Sequence, residues 1–357
     1  MKKKFLISAG GSGGHVIPAM AFCDHLKDNY EVFLTLDKRG SKFISKKYKF
    51  EIVSVPRLSL NFIKLPLTFI NLIISIFKSF FFLKNKKIDI LLGTGGYMSV
   101  PICIAAKILK IKIYLFEPNM IIGRANKFLV KFSTKLFCYS DEIINFPKKH
   151  KKKMIIIKSI LRKEIYSFCN NDKEKIENKV NLLIVGGSQG ANFFDEQIKN
   201  SILYLSKKYK LMVYHQVSLV DSNDLDFFYK ENSIENKLFN FEENIFQYIS
   251  KANLAITRAG ASTLSELAFL KVPFVAIPYK FATDDHQLQN AVYYKKNGCC
   301  WILEEKEFNQ DKLTTFLNNI IENKDDYLSK KNNLEKFCYQ NTWNNINEKV
   351  ISSLNEN

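Results

Sequence analysis

Three glycine-rich turns carry the residues best placed for chemistry. Each follows a short β-rich run and leads into a helical stretch: Gly10–Pro18, Gly93–Pro101 and Gly186–Gly190. Such a turn lets backbone N–H groups approach an anion or a diphosphate, and the helix behind it adds a partial positive charge. The third turn also holds Ser188, a hydroxyl where the donors converge, suited to a leaving diphosphate that other sites give to a metal. The first turn is not the phosphate loop G-x-x-x-x-G-K-[ST] and lacks the G-x-G-x-x-G order. Asp37, near the end of the second strand, still sits where a dinucleotide-binding acid would, so dinucleotide binding is the runner-up. Alone, the first turn fits a tight strand-to-helix connection equally well.

A fourth segment, Thr257–Glu266, reads as a strand end, a glycine turn and a helix start with a carboxylate one turn in. Two adjacent ribose hydroxyls match the two acceptor oxygens of a carboxylate. The same spacing, Thr263-x-x-Glu266, is also a capping box in which Glu266 bonds back to the backbone. Spacing leaves both readings open.

These turns need strands behind them. Phe5–Ser8, Val32–Leu36, Ile52–Val55, Ile88–Leu92, Ile113–Phe116 and Leu136–Cys138 read as one set. Leu182–Val185, Leu211–Tyr214, Leu254–Thr257 and Phe274–Ile277 read as a second. Strand then helix, repeated, predicts an α/β fold of two doubly wound domains, each a parallel sheet covered on both faces. A chain of 357 residues is long enough for two cores. Between the sets lie the lysine-rich Lys148–Lys153, then Met154–Lys158 and the polar Asn170–Lys179, placing the boundary near Ser159. The expected domains are 1–158 and 159–335, with 336–357, the end of a helical tail from Asp325 to Leu354, crossing back to brace the first. Two such domains facing one another form a cleft lined by the carboxyl ends of both sets of strands, where these folds bind ligands.

An apolar fraction of 46% and a charged fraction of 25% exclude wholesale disorder. The net charge of +18 attracts something negative: nucleic acid, lipid headgroups or a phosphorylated substrate. Much of the excess is lysine scattered among Ile, Asn and Phe, a mixture that AT-rich coding also produces. No nucleic-acid-binding motif accompanies it, so no nucleic-acid partner is expected. Seven cysteines, an odd number without C-x-x-C spacing, indicate neither a disulfide framework nor a zinc site and suit a reducing cytoplasm. After the initial lysines the apolar run stops at three residues, short of the roughly 7–15 of a signal peptide.

Leu67–Leu83 reads as a helix with one narrow polar stripe, Thr68, Asn71, Ser75, Lys78 and Ser79, on a wide apolar surface. Its 17 residues would rise only about 25 Å against roughly 30 Å of hydrocarbon, so a transmembrane span is not expected. Packing on one sheet uses a stripe of roughly 100°, and the excess apolar surface needs a second partner. Arg57, Lys64, Lys84, Lys86 and Lys87 flank it, which fits a segment resting on an anionic membrane surface.

Six segments in register resemble the MurG family of bacterial N-acetylglucosaminyltransferases. They are Gly10–Pro18, Gly93–Pro101, Glu117-Pro-Asn119 with Gly123 and Asn126, Gly186–Ala191, Arg258–Glu266 and Asp284–Asn290. The resemblance spans nearly the whole chain. It implies two Rossmann-like domains around a central cleft (GT-B type), with the donor UDP-N-acetylglucosamine held mainly by the second. An undecaprenyl-linked muramoyl-pentapeptide would approach over the first, from the cytoplasmic face of the bacterial cell membrane, where the protein would sit peripherally. Transfer would invert the anomeric carbon without a cofactor or catalytic metal.

Carried over position by position, the resemblance implies that Ser12, Gly13 and Gly14 line the cleft, with His15 as candidate base or orienter of the acceptor hydroxyl. Asn119 would contact sugar or acceptor, Arg162 would lie near the uracil, and Ser188 would meet the diphosphate. Ala261, Ser262, Thr263, Leu264, Ser265 and Glu266 would wrap ribose and phosphates, with Glu266 on the ribose hydroxyls and Gln287 on the transferred sugar. Glu242 falls where the family makes a backbone contact to uracil. The chain departs from the family at Ser159-Ile-Leu-Arg162, where an Asn-Pro pair usually precedes the arginine, and at His286, where some members have Gln. Asp284, Asp285 and His286 read as a polar helix start facing the donor in preference to metal ligands. Rival readings are a transferase acting on a glycerolipid, a metal-dependent one using Asp224-Leu-Asp226, and a catalytically silent nucleotide-binding scaffold at the membrane. Acceptor assays, a chelator, and binding without turnover separate them in turn.

Overall fold

Apolar runs that end in turns become parallel strands in a computed structural model describing residues 2–53, 65–168, 176, 179–218 and 222–355. Arg57, Lys64, the end of the expected strand at Val55 and most of Asn170–Lys179 lie outside the described residues. The chain divides into two compact units, Met1–Lys163 with Thr342–Asn357, and Glu164–Asn341.

The first unit runs β1 (Lys4–Ser8), α1 (Gly13–Leu26), β2 (Glu31–Leu36), β3 (Glu51–Ile52), α2 (Leu65–Lys86), β4 (Ile90–Gly93), α3 (Ser99–Ile108), β5 (Lys112–Glu117), α4 (Arg124–Leu129), β6 (Lys135–Cys138) and β7 (Met154–Ile156). Its sheet has the order β3-β2-β1-β4-β5-β6-β7. All its pairs are parallel, and Phe5 lies beside Val32 on one flank and Ile90 on the other. Successive residues of a strand face opposite sides. Phe5 and Ile7 accordingly join Phe22 and Leu26 of α1, while Leu6 joins Ile102 and Ala105 of α3. The chain builds outward from β1 to β3, then returns through α2 to β4 on the other side of β1. That reversal opens the crevice between the carboxyl ends of β1 and β4.

The second unit repeats the plan. It runs β8 (Lys179–Val185), α5 (Gly187–Gln197), α6 (Lys199–Lys208), β9 (Lys210–Gln216), α7 (Ser222–Glu231), β10 (Glu235–Phe239), α8 (Phe246–Ile249), β11 (Leu254–Thr257), α9 (Ala261–Phe269), β12 (Phe274–Ala276), α10 (His286–Lys296), β13 (Cys300–Ile302), α11 (Gln310–Glu322) and α12 (Lys324–Phe337). The parallel order β10-β9-β8-β11-β12-β13 puts its own reversal between β8 and β11. A last helix, α13 (Trp343–Asn355), belongs to the first unit. There Ile346, Val350 and Leu354 join the Phe5 cluster, and Trp343 stacks on His25 of α1 at 3.7 Å. Burial pushes the His25 imidazole down to about 4, so the stacked ring is neutral at neutral pH.

The structure corrects several expectations. The sequence reading passed over β7, β10 and β13, all in the outer part of their sheets. Lys148–Lys153, expected between the two sets of strands, is a 3₁₀ turn leading into β7 of the first sheet, and its Lys153 ammonium donates to the carbonyls of Val130, Lys131 and Ser133 just past α4. The helical tail is two helices, α12 in the second unit and α13 in the first.

The helix expected at Leu67–Leu83 is α2, 22 residues long and so rising about 33 Å. By length and composition it is long enough to cross a membrane, so shortness is no argument against a span. α2 lies against α3 of its own unit, with Leu83 fully buried, while only 17% of Leu67–Lys86 is buried in all. The polar stripe is divided. Ser75 and Ser79 are buried, whereas Lys78 is exposed. Small serines on the inward side keep the contact face low in bulk, and Ser75 satisfies its hydroxyl on the Asn71 carbonyl one turn back, at 2.8 Å. Leu67, Phe69, Ile70, Ile73, Ile74, Phe77 and Phe81 are thereby turned outward, with Phe69 62% and Phe77 61% exposed.

Candidate functional site

In the first unit Ser12, Gly13, Gly14 and His15 lie at the β1/β4 reversal. Ser12 is the N-cap of α1, Gly13 and Gly14 form its first turn, and His15 follows. The His15 Nδ1 lies 2.7 Å from the Thr94 carbonyl, just past β4. A carbonyl only accepts, so Nδ1 carries the hydrogen and Nε2 is the basic nitrogen of the neutral ring. The second glycine turn explains how the ring fits. Gly95 and Gly96 have φ of +93° and +74°, and a Cβ at Gly95 would come within 3.1 Å of His15 Cε1. Both glycines are needed, for the backbone they adopt and for the imidazole seated against them.

Two carboxylates hold this arrangement. Asp37, at the end of β2, accepts from the N–H groups of Gly11 at 2.9 Å and Gly40 at 2.7 Å and from the Tyr97 hydroxyl, tying both glycine turns together. Burial would raise its carboxyl, but the bonds from Tyr97, Gly11 and Gly40, with Arg39 nearby, outweigh it and hold Asp37 below its ordinary value. With its oxygens so engaged, Asp37 is a clamp and not a ribose ligand, which removes the main support for dinucleotide binding. Glu117, at the end of β5, is 2% exposed. One of its oxygens accepts from the Asn119 backbone N–H at 3.2 Å and side-chain amide at 2.9 Å, and the other from Gly123 N–H at 2.8 Å and Asn126 at 2.9 Å. Asn119 is therefore held in place, and the Asn126 amide lies 3.3 Å from where a Gly95 Cβ would stand. The clamping roles of Asp37 and Glu117 escaped sequence reasoning, although each had drawn attention, Asp37 as a candidate dinucleotide-binding acid and Glu117 within a family segment.

Arg162 is 6% exposed and lies in the extended segment after β7, one residue before the end of the first unit's main stretch.

In the second unit Ser188 lies in the first turn of α5, directly after β8. Ala261, Ser262, Thr263, Leu264, Ser265 and Glu266 are the first six residues of α9, whose N-cap is Gly260. The helix thus begins two residues before Thr263, so the capping box is excluded: Thr263 is not the cap and Glu266 is the sixth helical residue. Glu266 is 4% exposed, and the Ser262 hydroxyl is buried without a hydrogen-bond partner. Buried hydroxyls are normally bonded, so this one calls for a ligand atom or water. Gln287, in the first turn of α10, accepts from the Tyr279 N–H at 3.0 Å, which leaves its amide nitrogen as a donor beside the β12 turn. Asn290, one turn further on, donates to the Ala259 carbonyl at 3.1 Å and fixes α10 to the turn before α9.

Beneath these turns Arg258 donates to Glu305 at 2.7 Å and to the Ile277 carbonyl at 3.1 Å, and lies over the Phe193 ring of α5 at 4.3 Å. It joins the β11 turn to the helix that carries Ser188. Glu242 sits between β10 and α8 with one oxygen accepting from the Asn244 N–H at 3.0 Å, so its carboxylate serves the local turn. Asp285 is the left-handed N-cap of α10, and His286 Nδ1 contacts the Thr283 carbonyl at 2.8 Å. Asp224 and Asp226 lie on α7, where a spacing of two residues turns side chains apart, and Asp226 pairs with Lys230 at 2.6 Å.

Comparison with known proteins follows the same two-unit division. The glycosyltransferase family 28 N-terminal domain matches residues 5–138 and the family 28 C-terminal domain matches residues 181–342. A Pelagibacter ubique (strain HTCC1062) protein named UDP-N-acetylglucosamine--N-acetylmuramyl-(pentapeptide) pyrophosphoryl-undecaprenol N-acetylglucosamine transferase is 49% identical over 100% of both chains. A protein of the same name from Rickettsia canadensis (strain McKiel) is 34% identical over 90% of this chain and 91% of its own. Among solved structures, Acinetobacter baumannii MurG is similar with a TM-score of 0.76 at 22% identity, covering 99% of this chain and 100% of that one.

Proposed function

Because the chain belongs to glycosyltransferase family 28, we propose that it transfers N-acetylglucosamine from UDP-N-acetylglucosamine to an undecaprenyl-linked muramoyl-pentapeptide in peptidoglycan synthesis. The observation that carries this reading is the 49% identity over the full length to a relative whose name states that reaction.

The reaction is a direct displacement. An acceptor hydroxyl attacks the anomeric carbon from the face opposite the diphosphate, the new C–O bond forms as the bond to UDP breaks, and configuration inverts. The hydroxyl proton goes to Nε2 of His15, whose Nδ1–H is held by the Thr94 carbonyl at 2.7 Å. Negative charge grows on the departing diphosphate, where the Gly186–Gly190 turn and Ser188 supply donors at the start of α5. Glu266 takes the ribose hydroxyls, Ser262 fills its unmet hydrogen bond on the nucleotide, and the amide nitrogen of Gln287 donates to the transferred sugar. Asn119 contacts sugar or acceptor, Arg162 lies toward the uracil, and the backbone at Glu242 meets the base. Glu266→Ala removes both acceptors from the ribose and is expected to weaken UDP binding about tenfold or more, read by calorimetry. An unchanged Kd would take Glu266 out of the site.

The acceptor's lipid anchor requires a membrane surface, and α2 supplies the face for it. Its outward Leu, Ile and Phe side chains lie in the same helical layer as the exposed Ile108 and Phe128. Exposed Lys78, Lys84, Lys107, Lys127 and Lys131 stand in that layer to meet anionic headgroups. In this reading the protein lies peripherally on the membrane, and the cytoplasmic face is the one proposed because the donor is a nucleotide sugar. Replacing Phe77 and Phe81 with Asp is expected to lower co-sedimentation with phosphatidylglycerol vesicles by about tenfold to a hundredfold per residue. Transfer to a water-soluble acceptor analogue should persist. Undiminished sedimentation would move the contact elsewhere.

A further inference from the structure

The start of α5 is held from behind. Gly187 has φ of +66°, a left-handed conformation, and a Cβ placed there would meet nothing within 4 Å. Glycine is therefore required by the backbone and not by crowding. What holds that backbone is Gln216, the last residue of β9, whose Oε1 accepts the Gly187 N–H at 2.9 Å. Gln216 is 7% exposed. The Gly187 N–H is thereby committed to the protein, and the N–H groups that follow it in the first turn are those left to receive an anion.

A second tie lies about two turns further along α5. Asp195 is 2% exposed; one oxygen accepts the Ser218 N–H at 2.9 Å, and the other faces His215 Nε2 at 3.3 Å. His215 is fully buried, and its Nδ1 lies 2.9 Å from the Tyr229 hydroxyl of α7. Burial lowers the imidazole's affinity for a proton even against the pull of Asp195, so the ring is neutral. Its one hydrogen faces the carboxylate, and Nδ1 accepts from Tyr229. Three polar side chains in an apolar core cost stability unless they fix something. Consecutive residues of β9 thus meet α5 at two heights: Gln216 bonds to Gly187, and His215 approaches Asp195, which Ser218 N–H also holds.

We propose that Gln216, backed by the Tyr229–His215–Asp195 chain, is a positioning residue for departure of the diphosphate. It holds Gly187 in its left-handed conformation and so aims the first turn of α5 at the leaving group. This rests on the reading of Gly186–Gly190 as the diphosphate site.

Steady-state kinetics and thermal melting of the full chain test it. Gln216→Met keeps the side chain's bulk and removes the acceptor. It is expected to lower kcat by about tenfold to a hundredfold, with donor KM within about threefold and Tm near wild type. Gln216→Glu keeps an acceptor for Gly187 but brings negative charge beside the diphosphate. It is expected to raise donor KM, and added salt should reduce the rise. Wild-type kcat in Gln216→Met, with Ser188→Ala impaired, overturns the proposal alone. Wild-type kcat in both overturns the diphosphate reading with it. If Gln216→Met fails to fold, Gln216→Glu decides, and a wild-type, salt-independent donor KM overturns the proposal.

Discussion

Replacing His15 with Gln should lower turnover by about 10²–10⁴, the range lost when a positioned general base is removed. The Thr94 carbonyl, 2.7 Å from Nδ1, assigns the ring hydrogen to that nitrogen, which leaves Nε2 to take the acceptor's proton. Gln has an amide able to donate to the same carbonyl but no basic nitrogen, so the variant tests proton transfer more than packing. Donor affinity should change little, because most residues proposed to hold the nucleotide, Ser188, Ser262 and Glu266 among them, belong to the second unit and His15 to the first. A variant with wild-type turnover would remove His15 as the base.

Ser188→Ala should lower turnover by about 10²–10³, or about 2.7–4 kcal/mol, if its hydroxyl donates to the diphosphate as charge develops there. The loss should fall on kcat more than on donor KM, since the bond strengthens as UDP departs. Placement supports the role: Ser188 is in the first turn of α5, where the helix presents its unsatisfied N–H groups. Equal losses in binding and turnover would make Ser188 a ground-state contact, and an unchanged kcat would remove it from the leaving-group site.

The fold was legible where burial is complete. β1, β4, β8 and β11 are inner strands of parallel sheets, covered on both faces, so Phe5–Ser8, Leu182–Val185 and Leu254–Thr257 read as continuous apolar runs. Each closes on a glycine turn or, for β11, a turn with Gly260. Because these strands flank the two reversals, the turns after them led to Ser12–His15, Ser188 and Ala261–Glu266, whereas Asn119, Arg162, Glu242 and Gln287 came only from the family resemblance. The outer strands hid for the opposite reason. β10 (Glu235-Asn-Lys-Leu-Phe239) is half polar, and β13 (Cys300-Trp-Ile302) is three residues long. Sequence periodicity showed a polar stripe on α2 but could not say which side faced the protein, and small serines proved to be the inward residues. Gln216 carries no motif, and the segments that drew attention to Asp37 and Glu117 said nothing of their clamping roles. Each is one polar residue at the carboxyl end of a strand, and its meaning depends on which backbone N–H groups the fold brings to it.

The most direct test of the central claim is transfer of labelled N-acetylglucosamine from UDP-N-acetylglucosamine to an undecaprenyl-linked muramoyl-pentapeptide by the purified full chain. The expected product is the lipid carrying one added N-acetylglucosamine in inverted configuration, formed together with UDP. Folded protein that binds UDP but leaves this acceptor unmodified, while glycosylating another lipid, would contradict the assignment.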